Sequence, residues 1–237
     1  RASGDIRKVG TDSMDWLGIP LRTTDDRILG ALVVQSYQEG FTYSQRDKDI
    51  LLFVSSQVAM AIDRKRAQEQ LSYFSSHDTL TGFYNRAYFE KQLQLLQQEH
   101  QVQAIIVCDV DGLKLVNDTL GHAAGDDLLR ACAKLLAQAL PPNAIAFRIG
   151  GDEFAVLLPE VSDEQTSLIC RNVYQAMEEY NETAERVRLS MSLGHSVRHH
   201  AHQSLSDVFK EADNYMYREK LHRSQSARSS IVNTLMK

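Results

Sequence analysis

The chain has 237 residues, enough for one large domain or two smaller ones. At 43% hydrophobic and 24% charged it has the composition of an ordinary soluble globular protein. A formal charge of −5 argues against a general nucleic-acid binder, because a duplex favours a basic face, but leaves room for a nucleotide substrate held by local cations and a metal.

Cys108, Cys132 and Cys170 are odd in number, widely spaced and set among apolar residues. They read as buried thiols of a reducing cytoplasm rather than a disulfide framework. The longest apolar stretch, Ile50 to Ile62, is interrupted by Ser55, Ser56 and Gln57 and falls short of the roughly 20 residues of a membrane span. No signal-peptide pattern is present, and a chain opening on Arg1 reads as a piece of something longer.

In chain order, WLGIPL (Trp16 to Leu21) and ILGALVVQS (Ile28 to Ser36) flank the polar TTDDR and predict two adjacent antiparallel strands. Ser44 with Asp47 is an acid variant of the capping box, opening one long helix, or two nearly collinear ones, ending near Phe74. Its first half carries Leu51, Val54, Val58, Ala61 and Ile62 at helical spacing. Its second half has few apolar positions, as in an interdomain connector or one member of a paired coil.

From Asp78 helices and strands alternate. Tyr84 to His100 reads as a helix with Phe89, Leu93 and Leu96 on one stripe, and Val102 to Val110 as a buried strand. A helix within Asp118 to Leu140 turns Leu128, Leu129, Cys132, Leu135 and Leu136 inward. Ala144 to Ile149 and Phe154 to Leu158 are strands around a two-glycine turn. Ser162 and Gln165 cap a helix to Asn181, Val187 to Val197 is a strand, and Leu205 to Arg223 a final helix. This order predicts an α/β domain with helices packed on one sheet.

Two clusters carry chemistry. Asp109-Val110-Asp111 lies where an apolar strand ends, and carboxylates there are costly unless paired or metal-bound. Alternation sends Asp109 and Asp111 to one face, and hard oxygens without His or Cys suit Mg²⁺, although two helix-capping acids would read the same way. Gly150-Gly151-Asp152-Glu153 joins two apolar runs. Its glycines allow unusual dihedrals and close approach of backbone N–H groups to a phosphate. Together the clusters read as one divided metal–phosphate site.

These residues resemble the GGDEF domain of the diguanylate cyclase family. The match comprises DTLTGFYNR from Asp78, DVDGLKLVNDTLGHAAGDDLL from Asp109, GGDEF from Gly150, SLG from Ser192 and ADNYMYREK from Ala212. The family patterns are DxLTGLxNR, DxDxFKxxNDxxGHxxGDxxL, GGDEF, S-hydrophobic-G and ADxALYxAK. The resemblance implies a palm-like fold, a central antiparallel sheet flanked by helices. It also implies condensation of two GTP into cyclic di-GMP by a homodimer, with each subunit binding one GTP.

It further implies two Mg²⁺ (or Mn²⁺) ions held by Asp109, the Val110 carbonyl, Asp152 and Glu153. Asp152 and Glu153 would be the catalytic acids, Asp152 the candidate base. Asn117 and Asp126 would take the guanine edge, whose N1–H and N2–H₂ are donors. Lys114, Lys220 and Arg223 would meet the triphosphate, cradled by Gly112, Leu113, Gly150 and Gly151. The inhibitory product motif RxxD is absent, since Pro141-Pro142-Asn143-Ala144 stands in its place. The family ending K-x-x-G-R-N is Lys220-Leu221-His222-Arg223-Ser224-Gln225 here, with Arg223 one position early. Asp126 favours GTP over a mixed-base product. The alternative function is a catalytically silent GTP-binding domain that regulates a neighbour such as an HD-GYP phosphodiesterase.

Asp15 to Arg64 resembles the C-terminal half of a GAF domain, a sensor for an unknown ligand or a dimerising module. The expected organisation is a partial GAF-like domain at 1–62, a helical linker at 63–77, the GGDEF domain at 78–224 and a tail at 225–237, frayed or leading into a further domain. No nucleic-acid or membrane partner is expected, and the expected location is cytoplasmic. His199, His200 and His202 read as an exposed hairpin rather than a metal site, and Tyr215, Met216 and Tyr217 as core packing.

Overall fold

The computed structural model describes residues 13–98, 103–184, 188–200 and 202–235. The expected start of the first domain, the helix end at His100, the strand starts at Val102 and Val187 and the last two residues lie outside them. The chain divides into two compact units, Arg1–Ser72 and Tyr73–Lys237.

In the first unit β1 (Asp15–Arg22) and β2 (Ile28–Ser36) pair antiparallel, in the expected positions. Helix α1 (Gln45–Ser76) follows. The Ser44 amide and hydroxyl both donate to the Asp47 carboxylate, at 2.8 and 2.6 Å, so Asp serves here where a capping box usually has Glu. Leu51, Ser55 and Ala59, spaced by four, are the buried positions of α1.

The second unit is built on a five-stranded sheet in the order β3-β5-β6-β4-β7. The strands are β3 (Tyr84–Asn85), β4 (Gln103–Val110), β5 (Ile145–Arg148), β6 (Glu153–Pro159) and β7 (Met191–Val197). All pairings are antiparallel except β3 with β5. The helices are α2 (Arg86–Gln97), α3 (Leu113–Leu120), α4 (His122–Ala139), α5 (Asp163–Thr183) and α6 (Leu205–Leu235). Alternation along β4 divides the core. Ala104, Ile106, Cys108 and Val110 pack with the inward residues of α4 and α5, while Ile105 and Val107 pack with Phe89 of α2 and Val208, Ala212 and Met216 of α6. The sheet is therefore covered on both faces, and β4 is buried throughout.

Several expectations change. The helix expected within Asp118 to Leu140 is α4, with its expected residues buried, and Gly121, at φ 86°, separates it from the short α3 ahead of it. The final helix does not stop at Arg223 but runs to Leu235, so the expected frayed tail is helical. Met216 is buried as expected, but Tyr215 and Tyr217 face outward at 46% and 58% exposure, which corrects their reading as core. Ser162 and Gln165 form a complete capping box, and all three cysteines are free and buried. Among the described residues no helix is long and apolar enough to cross a membrane.

Candidate active site

The two acidic clusters meet because β4 and β6 are antiparallel neighbours. Their register places Asp109 opposite Glu153, and the Val110 amide donates to the Asp152 carbonyl at 2.9 Å. The turn Ile149–Asp152 is closed by the Ile149 and Gly150 amides donating to the Glu153 carbonyl. Neither Gly150 nor Gly151 has a positive φ, so glycine is not needed there for unusual dihedrals, contrary to expectation. At Gly150 a Cβ would stand 2.5 Å from Glu153 Oε2, so the Glu153 side chain would have to shift to admit one. At Gly151 a Cβ would meet nothing within 4 Å, so this main chain stands open.

Helix α6 brings the cation. Lys220 Nζ donates to Asp109 Oδ1 at 2.6 Å, and the Asp109 side chain is only 6% exposed. Burial raises the Asp109 carboxyl above its ordinary range, with the charges of Asp152 and Asp111 adding to it and Lys220 only partly offsetting it. At Lys220 burial acts downward, but contact with Asp109 outweighs it and raises the ammonium. Burial also raises Glu153, helped by the charges of Asp152, Asp109 and Asp213.

Asp111 lies within electrostatic range of Asp109 and Lys220 but makes its hydrogen bonds elsewhere. Its two carboxylate oxygens accept the hydroxyls of Ser190 (2.7 Å) and Ser192 (2.9 Å), so it is spent on fixing the end of β7 to the end of β4. Gly112, at φ 75°, then turns the chain into α3. Asn117 on α3 lies against Gly125 of α4, where a Cβ would stand 1.9 Å from Asn117 Oδ1, and Asp126 is the next residue. Lys114 is exposed on the first turn of α3. Arg223, one turn beyond Lys220, donates from Nε to Glu219 at 2.9 Å and lies over the Tyr174 ring.

Sequence reasoning missed the group that fixes the glycine turn. Arg148 Nη1 donates to both oxygens of Asp78 at 3.1 and 3.2 Å, and Nη2 donates to the Gly151 carbonyl at 2.8 Å. Asp78 also accepts the Thr81 amide and hydroxyl. Burial opposes its charge, but these bonds and Arg148 hold its carboxyl below the ordinary range. The basic side chain just before the glycines was the available signal.

Among the described residues no three acidic, Cys or His side chains converge closely enough to hold an ion, and His199, His200 and His202 are exposed and form no such group. Asp109, Asp152 and Glu153 carry hard carboxylate oxygens, the donor chemistry that a hard divalent cation takes, and the buried Asp109 here pairs with the Lys220 ammonium instead.

The profile described as "Diguanylate cyclase, GGDEF domain" matches residues 75–226. The chain belongs to the GGDEF family. A GAF domain profile matches residues 5–62, ahead of the GGDEF domain. The probable diguanylate cyclase DgcE of Escherichia coli is 39% identical over 164 residues, covering 67% of this chain and 15% of that protein. Diguanylate cyclase DgcM of the same organism is 31% identical over 163 residues, covering 67% of this chain and 39% of that protein. The chain thus spans well under half the length of either relative. The crystal structure of the GGDEF domain of DgcB from Caulobacter crescentus in complex with c-di-GMP superposes with a TM-score of 0.55 at 26% identity, covering 62% of this chain and 91% of that one. The GGDEF turn, the Asp109 strand end and the part of α6 that carries Lys220 and Arg223 lie inside the matched span.

Proposed function

We propose that this chain is a diguanylate cyclase that condenses two GTP into cyclic di-GMP and two pyrophosphates as a homodimer. The observation that carries the proposal is the pairing of Asp109 with Glu153 beside the open Gly150–Gly151 turn, with Lys220 on Asp109. Carboxylates, a lysine and exposed main chain are what metal-assisted phosphoryl transfer requires.

Asp109, the Val110 carbonyl, Asp152 and Glu153 would hold two Mg²⁺ or Mn²⁺ ions, which when bound lower the pKa of a ribose 3′-hydroxyl and neutralise phosphate charge. Asn117 and Asp126 accept the guanine donors. Lys114, Lys220 and Arg223 bind the triphosphate against the backbone of Gly112, Leu113, Gly150 and Gly151. The 3′-oxygen forms a bond to the α-phosphorus of the other GTP as the bond to pyrophosphate breaks. Asp152 accepts the hydroxyl proton, and the same step in reverse orientation closes the ring.

One chain binds one GTP, so reaction requires two chains face to face. Helix α1 supports pairing with a second copy. Ile50, Phe53, Gln57, Met60, Arg64, Ala67, Leu71 and Phe74 follow the alternating three- and four-residue spacing of a heptad seam, and all are exposed. Leu71 is 70% and Phe53 67% exposed, as expected of a face that another helix covers.

The test is incubation of the chain with GTP and Mg²⁺ followed by chromatography of the nucleotides. Cyclic di-GMP that disappears in Asp152→Ala supports the proposal. Tight GTP binding without product would favour the silent, regulatory alternative, and added ATP tests base selection at Asp126.

A further inference from the structure

Arg223, midway along α6, stands one residue from its expected place, yet it is held on two sides. The Arg223 guanidinium carbon lies 4.5 Å from the centroid of the Tyr174 ring. Arg223 Nε donates to Glu219 Oε1 at 2.9 Å, one turn back on α6. The ring holds the guanidinium over its face, and the Nε bond to Glu219 ties it from a second side. Its Nη groups make no hydrogen bond among the described residues, so the two-pronged edge that matches a phosphate remains free.

Tyr174 is itself fixed. It projects from α5, and its hydroxyl oxygen accepts the Leu193 amide of β7 at 3.1 Å. Leu193 adjoins Ser192, whose hydroxyl holds Asp111. The ring is thus tied to the same strand end that shapes the acidic site. Lys220, three residues before Arg223, is on Asp109. The charge of Asp111 contributes to raising Arg223, which places the guanidinium within electrostatic range of the site.

We infer that Tyr174 and Glu219 are positioning residues that present the Nη edge of Arg223 to the terminal phosphates of GTP. The inference rests on the proposed GTP site and goes beyond it by assigning Tyr174 and Glu219 a part in nucleotide binding. A preset fork loses less side-chain freedom on binding than a solvated arginine, so removing the ring weakens affinity for phosphate and leaves recognition of the base alone.

The experiment measures binding of 3′-deoxy-GTP, which lacks the attacking hydroxyl, and of GMP, each with Mg²⁺, to the whole chain. Tyr174→Leu is expected to weaken 3′-deoxy-GTP roughly fivefold or more, with GMP unchanged. Arg223→Gln should produce a loss of the same kind, and the double variant should lose no more than Arg223→Gln alone. Glu219→Gln should show a smaller loss, again confined to the triphosphate. Tyr174→Phe keeps the ring and gives up only the acceptor for Leu193, so it should retain the preference for triphosphate.

Additive losses in the double variant, an equal loss on GMP, or full affinity in Tyr174→Leu would each overturn the inference. No binding of 3′-deoxy-GTP by the unaltered chain would instead contradict the GTP site itself, and the inference with it.

Discussion

The main chain of Gly194 lies directly against that of Met216. A Cβ on Gly194 would stand 2.0 Å from the Met216 nitrogen and 2.2 Å from the Ala212 carbonyl oxygen. This contact sets the depth of α6 on β7, and one turn further along α6 stands Lys220 on Asp109. Gly194→Ala cannot be absorbed by a side-chain rotation, because both partners are backbone. We expect it to cost roughly 1–3 kcal/mol or more, as overpacking does. Equilibrium urea unfolding checks this, and an unchanged midpoint would show that α6 is not seated through Gly194.

Arg148 and Asp78 predict an acid limb in stability. The folded-state pKa of Asp78 is depressed. Its contribution is therefore complete above its unfolded value and is lost as pH falls through the folded value. The stability gap between the unaltered chain and Asp78→Asn should be largest at neutral pH and shrink below the ordinary carboxylate range. Arg148→Gln should reduce that gap and also lower cyclase activity, since it releases the Gly151 carbonyl. A gap independent of pH would contradict this.

Much of this was legible in the sequence wherever the cause was local. The hairpin, both capping boxes, the buried strand at Asp109 and the inward stripe of α4 depend on spacing within a few turns. What was missed depends on distance or on backbone geometry. The serine partners of Asp111 were not legible because Ser190 and Ser192 lie 79 and 81 positions away. Arg148 and Tyr174 gain their roles from strands and helices far along the chain. The short helix α3 ahead of Gly121 went unread because only the backbone turn at Gly121, φ 86°, sets it apart from α4. The glycines of the signature turn do not need unusual dihedrals, and a Cβ on Gly150 would press on the Glu153 side chain.

Divalent cations should stabilise the folded chain through Asp109. An ion that binds only the native state at a hundredfold excess over its Kd adds about 2.7 kcal/mol. Mg²⁺ should therefore raise the thermal midpoint of the unaltered chain, and this rise should disappear in Asp109→Asn. An equal rise in the variant would place the ion elsewhere.

The α1 seam predicts that oligomeric state depends on its exposed apolar positions. Leu71→Lys puts a charge on the seam while leaving Leu51, Ser55 and Ala59 in place, so the first unit should keep its fold. Sedimentation should show a shift from dimer to monomer over a concentration range where the unaltered chain remains dimeric. An unchanged distribution would remove α1 from the interface.

The central claim is that two chains, each contributing one GTP, perform the condensation. The most direct measurement is the initial rate of cyclic di-GMP formation per chain across protein concentration, with saturating GTP and Mg²⁺. The account predicts that the rate per chain rises with concentration to a plateau, and that Leu71→Lys displaces the rise to higher concentration without abolishing it. A rate per chain independent of concentration in a monomeric sample, or no product from a chain shown to be dimeric and GTP-bound, would contradict it.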